Sequence, residues 1–447
     1  MRQAHVLLQS EQKVISWANY LIAIVLVLVP FHTFLSLWLS TFIGHFTLIR
    51  LWKEVIVVVI CILVGRILYL DKRLRAYTLK TPLFRLMAVY AFFCIVVTIV
   101  SYILHGVSLY AASYGLLLDL RFLVWFALVY IVSMKSQWLH KNSLLLVAVP
   151  LLIVVVFGLL QFFVLPRNFL QHFGYNNGHT QFISVVPLNQ DSQTVRIQSF
   201  LRGANPLGAY LAACSIFVAG YLLKKKKNYY LMVLLGMSLL ALFLTFSRSS
   251  WLGFFLAIGF IGRRVLSKKW LVVLAGVAVM CIAALILASV ATRNAGVQNA
   301  LLHVNDQTTA STTSNEGHAS AAQDSLKAFL QQPFGRGAGA AGQASWYNVE
   351  HQIINTESYL LQVALETGFT GIILFALLLI WLYRSLTPRS PHDSITLAAK
   401  ASFVGFVIIN LFSYGWTDDT LSYIWWGLIA IAITQYSKLS YLNAKKI

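Results

Sequence analysis

About 12 long apolar stretches constrain this chain more than any other feature of its sequence. A helix that crosses a bilayer needs about 20 predominantly apolar residues, and a soluble protein of 447 residues could not keep a hydrophobic share of 59% away from water. The sequence therefore predicts an all-α fold, a polytopic transmembrane helical bundle. We place the spans at 14–34, 51–70, 85–105, 119–134, 143–165, 205–223, 229–246, 250–266, 270–290, 357–383, 396–415 and 420–436.

Lysine and arginine clusters indicate on which side of the membrane each loop lies. The net charge is +20, and the clusters KKKK at 224–227 and KK at 268–269 fall in short loops between spans, with RR at 263–264 at the end of the eighth span. A protein that binds nucleic acid would gather such residues on one soluble face, whereas short basic loops are typical of the cytoplasmic side of a membrane. The pattern argues against nucleic acid as a partner and predicts that both termini lie in the cytoplasm.

Two loops are much longer than the others, and both fall on the extracytoplasmic side of this arrangement. They cover 166–204 and 291–356, and they separate N-terminal spans at 1–165 from central spans at 205–290 and from C-terminal spans with a cytoplasmic tail at 357–447. Long loops are commonly functional. We expect the second of them to be partly helical.

Three arginines stand near predicted helix ends on the extracytoplasmic side. Arg196 and Arg202 precede the sixth span in VRIQSFLRGANPLGAY, and Arg248 lies in TFSRSSWLG, where the seventh span turns into the eighth. A guanidinium group binds phosphate oxygens through two parallel hydrogen bonds. The Asn205-Pro206 pair marks a helix start, whose N–H groups and dipole attract anions. A single arginine at the membrane interface commonly has no binding role, and its side chain only extends so that the charged group reaches water. Three arginines on one face instead predict an anion-binding site, which includes Asn205.

Carboxylates on the same side supply a candidate general base. Glu357 lies at the outer end of the tenth span, in INTESYLLQVALETGFTG, and Glu366 lies about 13 Å deeper. Either can accept a proton from a hydroxyl nucleophile, although Glu357 can instead cap the helix and Glu366 can instead pair within the bundle. Asp418 and Asp419, in YGWTDDTLSYIWWG, have no evident third metal ligand. The aromatic residues of that turn suit sugar stacking or the membrane interface equally well, and we expect no metal and no cofactor.

Two further residues are candidates for substrate binding, His318 in the second long loop and Tyr359 beside the carboxylate at the tenth span. A lone histidine in a loop is more often solvated without a role. Residues 318–331 can form a helix on the membrane surface, and Pro333 ends it. The run GRGAGAAG at 335–342 is a weak phosphate motif, because no strand and no lysine accompany it.

Four segments, in this order, resemble the O-antigen ligase/polymerase family of bacterial membrane proteins: SFLRGANPLGAYL, LTFSRSSWLGF, PFGRGAGAAGQAS and TESYLLQVALETGFTG. The resemblance covers roughly 166–436. It implies a glycosyltransferase that takes a glycan from an undecaprenyl-diphosphate carrier and passes it to a glycan, lipid or protein acceptor. It also implies that Arg202 and Arg248, assisted by Arg196, bind the diphosphate. Ligases of the family have a histidine where this chain has Thr356-Glu357, and polymerase-like members have a glutamate there, so Glu357 takes the role of the base.

The expected function is therefore to polymerise or ligate a surface polysaccharide of the O-antigen, capsule or exopolysaccharide type. The protein would lie in the bacterial cytoplasmic membrane, among membrane lipids, with its active face outside. The alternative is a transporter or flippase for an amphiphilic anion such as a lipid-linked substrate. Transporters bind near the midplane between structural repeats, whereas the candidate residues here lie at outer span ends and in loops, which favours the enzyme.

Overall fold

The chain is largely helical in a computed structural model that describes most of its residues. The described residues are 2–105, 107–176, 182–188, 191–224, 228–265, 314–348, 354, 356–388 and 393–443.

The described residues form α-helices joined mostly by short turns, with one small antiparallel sheet and three 3₁₀ helices. The helices are α1 Arg2–Leu28, α2 His32–Ile43, α3 Phe46–Ile49, α4 Trp52–Leu70, α5 Lys72–Lys80, α6 Pro82–His105, α7 Leu109–Lys135, α8 Trp138–Phe163, α9 Ala204–Lys224, α10 Tyr229–Leu244, α11 Arg248–Val265, α12 Ser314–Gln331, α13 Tyr359–Ser385, α14 Ser394–Asn410 and α15 Leu421–Asn443. The strands are β1 Val186–Leu188 and β2 Asp191–Arg196, and the 3₁₀ helices are Val29–Phe31, Phe169–Phe173 and Gly342–Tyr347.

Several helices are long and apolar enough to cross a membrane, so the protein is a multi-pass membrane protein with an all-α fold. Among the described residues there are six such stretches, and three shorter helices are also apolar. The predicted span at 270–290 lies outside the described residues, and the total of about 12 spans stays a prediction. The six stretches are Glu11–Ile43, Pro82–Leu104, Leu109–Lys135, Trp138–Phe163, Ala204–Leu223 and Tyr359–Ser385, and the shorter helices are Tyr229–Leu244, Ser394–Asn410 and Leu421–Gln435.

The fourth predicted span, at 119–134, is longer than the sequence indicated. Helix α7 begins at Leu109, where the Ser108 side chain accepts a hydrogen bond from the Ala111 N–H. Asp119 and Arg121 lie within this helix and are both buried. They lower the apparent hydropathy of the segment, but Arg121 is paired with Asp419, and a charged group is tolerated in a span when it is paired in the bundle interior.

Aromatic side chains pack the helices around the N-terminal end of α15. The Phe122 ring of α7 stacks on Trp426 of α15 with ring centroids 4.6 Å apart. Trp416, Trp425 and Trp426 are all buried. The tryptophans of the YGWTDDTLSYIWWG segment therefore belong to the core, and neither sugar stacking nor a place in the interfacial belt describes them.

Candidate functional site

Arg202 lies at the junction of three elements, two residues before helix α9. Its Nε donates a hydrogen bond to Oδ2 of Asp418 at 2.5 Å, and its NH1 and NH2 donate to the side-chain oxygen of Gln343 at 2.8 Å each. A guanidinium group has five N–H donors, so these contacts leave two of them for a ligand. The Arg202 side chain is 30% exposed, which makes those donors accessible from one side.

Asp418 holds the Arg202 side chain in place, and it also caps the start of helix α15. Its side chain is 2% exposed. Its Oδ1 accepts hydrogen bonds from the N–H groups of Thr420 and Leu421 at 2.9 and 3.1 Å, as an N-terminal cap does. The carboxylate is thus anchored to the start of a helix on one side and holds the guanidinium on the other.

Asp419 faces away from Arg202, toward a second group of cationic side chains. Arg50 lies 2.9 Å from its Oδ2, and Arg121 lies 2.5 Å from its Oδ1. Lys53 approaches to 4.0 Å. Burial alone would raise the pKa of Asp419, but Lys53, Arg121 and Arg50 together hold that pKa well below its ordinary value. The two adjacent carboxylates therefore bind separate sets of cations and do not converge on one metal position.

Arg196 and Arg248 form a third group of cationic side chains, near the start of α9. Arg196 ends β2, where its Nε donates to the Thr245 carbonyl oxygen at 2.8 Å and its NH2 donates to the Asn205 side-chain oxygen. Arg248 is the first residue of α11 and is half-buried. Burial and the neighbouring Arg248 lower the pKa of Arg196 to about 10. The two positive charges are thus close enough to repel each other, and an anion between them would relieve this repulsion.

The first turns of α9 and α11 lie against each other, which places all three arginines around the start of α9. A Cβ atom at Gly208 of α9 would lie 2.8 Å from the Cβ atom of Ser247 and 2.8 Å from the Oγ atom of Ser250. Only a glycine allows such an approach, so Gly208 brings Arg248 toward the segment that carries Arg202.

Glu357 precedes helix α13 in a left-handed backbone conformation, with φ at 51°. Its N–H donates to the Tyr414 hydroxyl oxygen at 2.6 Å. The residue that caps α13 is Ser358, whose side chain accepts from the Leu361 N–H at 3.4 Å. Capping by the Glu357 side chain, one of the two alternatives from the sequence, is therefore wrong.

Tyr414 contacts the backbone of Glu357 and feels the charge of Arg202, which together with Asp418 and Gln343 we call the arginine centre. Its hydroxyl also lies 3.1 Å from Oγ1 of Thr356. Burial raises the pKa of Tyr414 to about 12, while Thr356 and the positive charge of Arg202 act in the opposite direction. Tyr414 thus contacts the backbone of the candidate base, Glu357, and its pKa is lowered by the charge of Arg202, the residue that we expect to bind the diphosphate. Both candidate residues therefore lie at the same end of the bundle.

Glu366 has a structural position inside the protein. Its side chain is buried, with Oε1 accepting from the Gly339 N–H at 2.9 Å and Oε2 accepting from the Gln362 amide at 3.1 Å. It also lies close to Asp119, a second buried carboxyl group. Pairing within the bundle, the second alternative for this residue, is therefore confirmed, and Glu366 is no base for a substrate at the surface.

The glycine-rich run at 335–342 fills an interruption in α13. The α13 backbone leaves the helical conformation at Gly368, with φ at 67°. The Gly337 N–H donates to the Glu366 carbonyl oxygen at 2.9 Å, and the Phe369 N–H donates to the Pro333 carbonyl oxygen at 2.9 Å. The run is thus used for packing between helices, and these contacts do not support a role as a phosphate cradle.

Two candidates from the sequence are not accessible parts of this site. Tyr359 is 0% exposed and packs in the core, with its ring centroid 5.6 Å from that of Phe375 and 6.0 Å from that of Trp416. It cannot contact a substrate in this position. His318 falls within α12, but its side chain lies outside the described residues.

The sequence did not single out Gln343 or Tyr414, and it did not connect Asp418 with Arg202. Both Gln343 and Asp418 lie in segments with unusual composition, PFGRGAGAAGQAS and YGWTDDTLSYIWWG. That composition marked the segments as special, but only the fold shows which side chains meet.

The arrangement can bind a doubly charged phosphate group and accept a proton close to it. Arginine side chains at helix starts provide forked donors for phosphate oxygens, and Glu357 supplies a carboxylate at the same end of the bundle. Among the described residues, no group of three or more His, Cys, Asp and Glu side chains has an arrangement that could hold a metal ion.

Comparison with known proteins agrees with the motifs that carry this site. Residues 232–376 match the family model described as O-Antigen ligase. This segment contains Arg248, the glycine-rich run, Glu357 and Glu366, whereas Arg202 and Asp418 lie on either side of it. A search among curated proteins gave no match. Residues 232–376 are thus similar to the O-antigen ligase family, which supports the resemblance seen in the sequence.

Proposed function

We propose that this protein is a glycosyltransferase that polymerises or ligates a surface polysaccharide from a polyprenyl-diphosphate-linked glycan at the outer face of the bacterial cytoplasmic membrane. The family match supports a polysaccharide ligase or glycosyltransferase role. The observation that carries the finer proposal is the position of Arg202. Asp418 and Gln343 hold its guanidinium at the end of the bundle, and its charge acts on Tyr414, whose hydroxyl accepts a hydrogen bond from the Glu357 N–H.

The reaction is the displacement of a diphosphate by a hydroxyl group. The acceptor hydroxyl oxygen forms a bond to the anomeric carbon of the donor sugar, while the bond from that carbon to the diphosphate oxygen breaks. The electron pair leaves with the diphosphate, and the hydroxyl proton passes to the Glu357 carboxylate. Arg202 and Arg248 stabilise the negative charge that develops on the leaving group, with Arg196 as a third contributor.

The interruption of α13 is the feature that would favour a transporter, but its surroundings argue against that function. Helix α13 is interrupted at Gly368, as helices often are at a transporter's ion site. Here the glycine-rich run and the preceding Pro333 occupy the interruption, and the backbone groups of Gly337 and Pro333 make hydrogen bonds on opposite sides of the break. Protein therefore fills the space that a transported ion or substrate would need.

Deletion of the gene in the native host, followed by analysis of lipid-linked and exported glycans, tests the function. Single repeat units accumulating on the carrier identify a polymerase, and full-length chains stranded on the carrier identify a ligase. Complementation with Arg202→Ala or Arg248→Ala should restore no transfer, whereas Arg73→Ala, which changes an exposed arginine of α5, should restore it fully. Normal glycans in the deletion strain, or in both arginine variants, would contradict the proposal.

A further inference from the structure

Three large aromatic side chains are exposed next to each other on the side of the bundle that carries Arg202. They are Tyr110 near the start of α7 and Trp346 and Tyr347 at the end of the 3₁₀ helix Gly342–Tyr347, with exposed fractions of 56%, 54% and 40%. The Tyr347 ring meets the Tyr110 ring edge to face, with centroids 4.9 Å apart. We call these three residues the aromatic platform.

The platform is fixed in place by the backbone around it. Ser108 donates its hydroxyl hydrogen to the Tyr347 carbonyl oxygen at 3.1 Å, and the Ser108 N–H donates to the Asn348 side-chain oxygen at 3.1 Å. Asn348 is buried. These contacts attach the end of the 3₁₀ helix to the start of α7. A preformed aromatic surface loses little conformational entropy when it binds a ligand.

The platform continues directly from the arginine centre. Gln343, which accepts two hydrogen bonds from Arg202, belongs to the same 3₁₀ helix as Trp346. A 3₁₀ helix has 3.0 residues per turn and a rise of about 2.0 Å per residue, so these two side chains leave the same side of it, about 6 Å apart along the axis. A ligand whose phosphates bind Arg202 can therefore extend over Trp346.

A second set of contacts joins the platform to the same centre. The Tyr347 ring lies 5.3 Å from the Tyr114 ring, and the Tyr114 hydroxyl accepts a hydrogen bond from NH2 of Arg50 at 3.2 Å. Arg50 is paired with Asp419 at 2.9 Å, next in the chain to the carboxylate that binds Arg202. Two chains of contacts thus fix the position of the platform relative to the arginine centre.

We propose that the aromatic platform binds the sugar rings of the glycan chain next to the reacting end, and this rests on the function proposed above. One face of a pyranose ring presents C–H groups, and these pack well against the electron-rich face of a tyrosine or tryptophan ring. Phenol and indole groups also offer hydrogen bonds to sugar hydroxyls at their rim. The glycan of the donor and the glycan of the acceptor share this chemistry.

The alternative is that these aromatic residues only lie at the membrane interface, as tryptophan and tyrosine often do. Trp346 and Tyr347 stand on a loop segment between helices, and the Arg202 contact lies in the same 3₁₀ helix. An interfacial anchor has no need of that connection. The two roles differ in their effect on the affinity for the glycan, which provides the test.

The experiment measures transfer by the purified full-length protein with the lipid-linked glycan that accumulates in a deletion strain. Trp346→Ala and Tyr347→Ala should each raise KM roughly 2- to 10-fold with little change in kcat. Trp346→Phe and Tyr347→Phe, which keep a ring, should retain most of the affinity. Trp17→Ala and Tyr230→Ala, at other exposed aromatic positions, serve as matched controls with unchanged KM.

Separate titrations of the donor and the acceptor show which glycan the platform binds. In Trp346→Ala and Tyr347→Ala, the KM should rise for the substrate whose sugar rings contact the platform. Correctly folded Trp346→Ala with unchanged KM for both substrates would overturn the proposal, and so would an effect limited to membrane insertion. Arg202→Ala is measured in parallel. If it abolishes transfer while the platform variants behave as wild type, only the platform is wrong, whereas full activity of Arg202→Ala contradicts the underlying function.

Discussion

Asp418 uses its two carboxylate oxygens for two different purposes. Oδ2 binds the Arg202 guanidinium, and Oδ1 caps helix α15. An arginine side chain has several rotatable bonds, and holding it in one orientation costs side-chain entropy. Because Asp418 and Gln343 already hold the guanidinium in one orientation, little further side-chain entropy is lost when a ligand binds. We therefore regard Asp418 as a positioning residue that acts through Arg202.

Replacing Asp418 by asparagine should separate these two roles. An asparagine still caps a helix, but it removes the charge that holds Arg202. We expect kcat to fall about 100-fold, as for a misplaced catalytic group, with thermal stability close to that of the wild type. Measurement of kcat, KM and Tm for Asp418→Asn, beside Asp418→Ala, checks this. The alanine variant should also lose about 1 kcal/mol of stability with the cap. Equal kcat in Asp418→Asn and wild type would rule out the positioning role.

Inorganic pyrophosphate should stabilise the protein by binding between the arginines. Burial and the positive charge of Arg248 lower the pKa of Arg196, and an anion with two phosphates between the two side chains would offset this repulsion. A ligand at 100 times its Kd adds about 2.7 kcal/mol to the stability of the folded state. A thermal shift assay in detergent should therefore show an increase in Tm on adding pyrophosphate.

Variants of the arginines give this assay its specificity. The increase in Tm should be much smaller in Arg202→Ala and Arg248→Ala than in the wild type. In Arg73→Ala it should equal that of the wild type. Sulfate at equal ionic strength controls for general screening of surface charge. Stabilisation of equal size in all three variants would mean that pyrophosphate binds somewhere else.

Local context in the sequence marks single residues as candidates, and their roles stay predictions. Arg202 and Arg248 stand in turns beside apolar spans, and such a context marks them as candidates whatever the rest of the fold is. Asp418 contacts Arg202, which lies 216 positions away in the sequence, and a local sequence pattern cannot predict such a contact. Tyr359 was misplaced because its sequence position fits a helix end at the surface, while the bundle covers it with aromatic rings.

At the scale of elements, the glycine-rich run shows why small residues are needed between helices. Gly339 has φ at 84°, and a Cβ atom there would lie 2.3 Å from the Ala111 carbonyl oxygen. Gly342, three residues on, also has a positive φ. The run thus fits between α7 and the break in α13, and it carries the 3₁₀ helix with Gln343 to the arginine centre.

The variant Gly339→Ala should disturb this insertion strongly. A left-handed conformation costs a residue with a side chain about 1–3 kcal/mol, and the clash with α7 adds to that cost. We expect a lower Tm and a loss of transfer, because Gln343 would no longer reach Arg202. Gly236→Ala is the matched control, since a Cβ atom at Gly236 of α10 meets no atom within 4 Å. That variant should be active and at least as stable as wild type.

Most helix positions followed from hydropathy, and the exceptions have a common cause. The predicted spans at 51–70, 205–223 and 357–383 correspond closely to α4, α9 and α13. The predicted span at 119–134 is too short for α7, which buries Arg121 through an ion pair with Asp419, far away in the sequence. Hydropathy is a sum over local residues. It therefore fails where a charge is neutralised by a distant partner.

At the scale of the whole molecule, the function requires the arginine centre to lie on the extracytoplasmic side. A lipid-linked glycan that has already crossed the membrane is accessible only there. The distribution of lysine and arginine between the loops predicts this orientation. It also predicts that α12, in the second long loop, lies outside and that α5 lies inside.

Cysteine labelling in intact cells tests the orientation. In a background with the native cysteines replaced, Lys327→Cys introduces a thiol on α12, where the Lys327 side chain is 73% exposed, and Arg73→Cys introduces one on α5. A maleimide that cannot cross the membrane should label position 327 in intact cells and position 73 only after permeabilisation, since a charged reagent cannot enter the hydrocarbon core. The reverse pattern would place the three arginines in the cytoplasm. Diphosphate binding there would require a donor that has not yet been translocated, and the enzyme would then build the glycan before export.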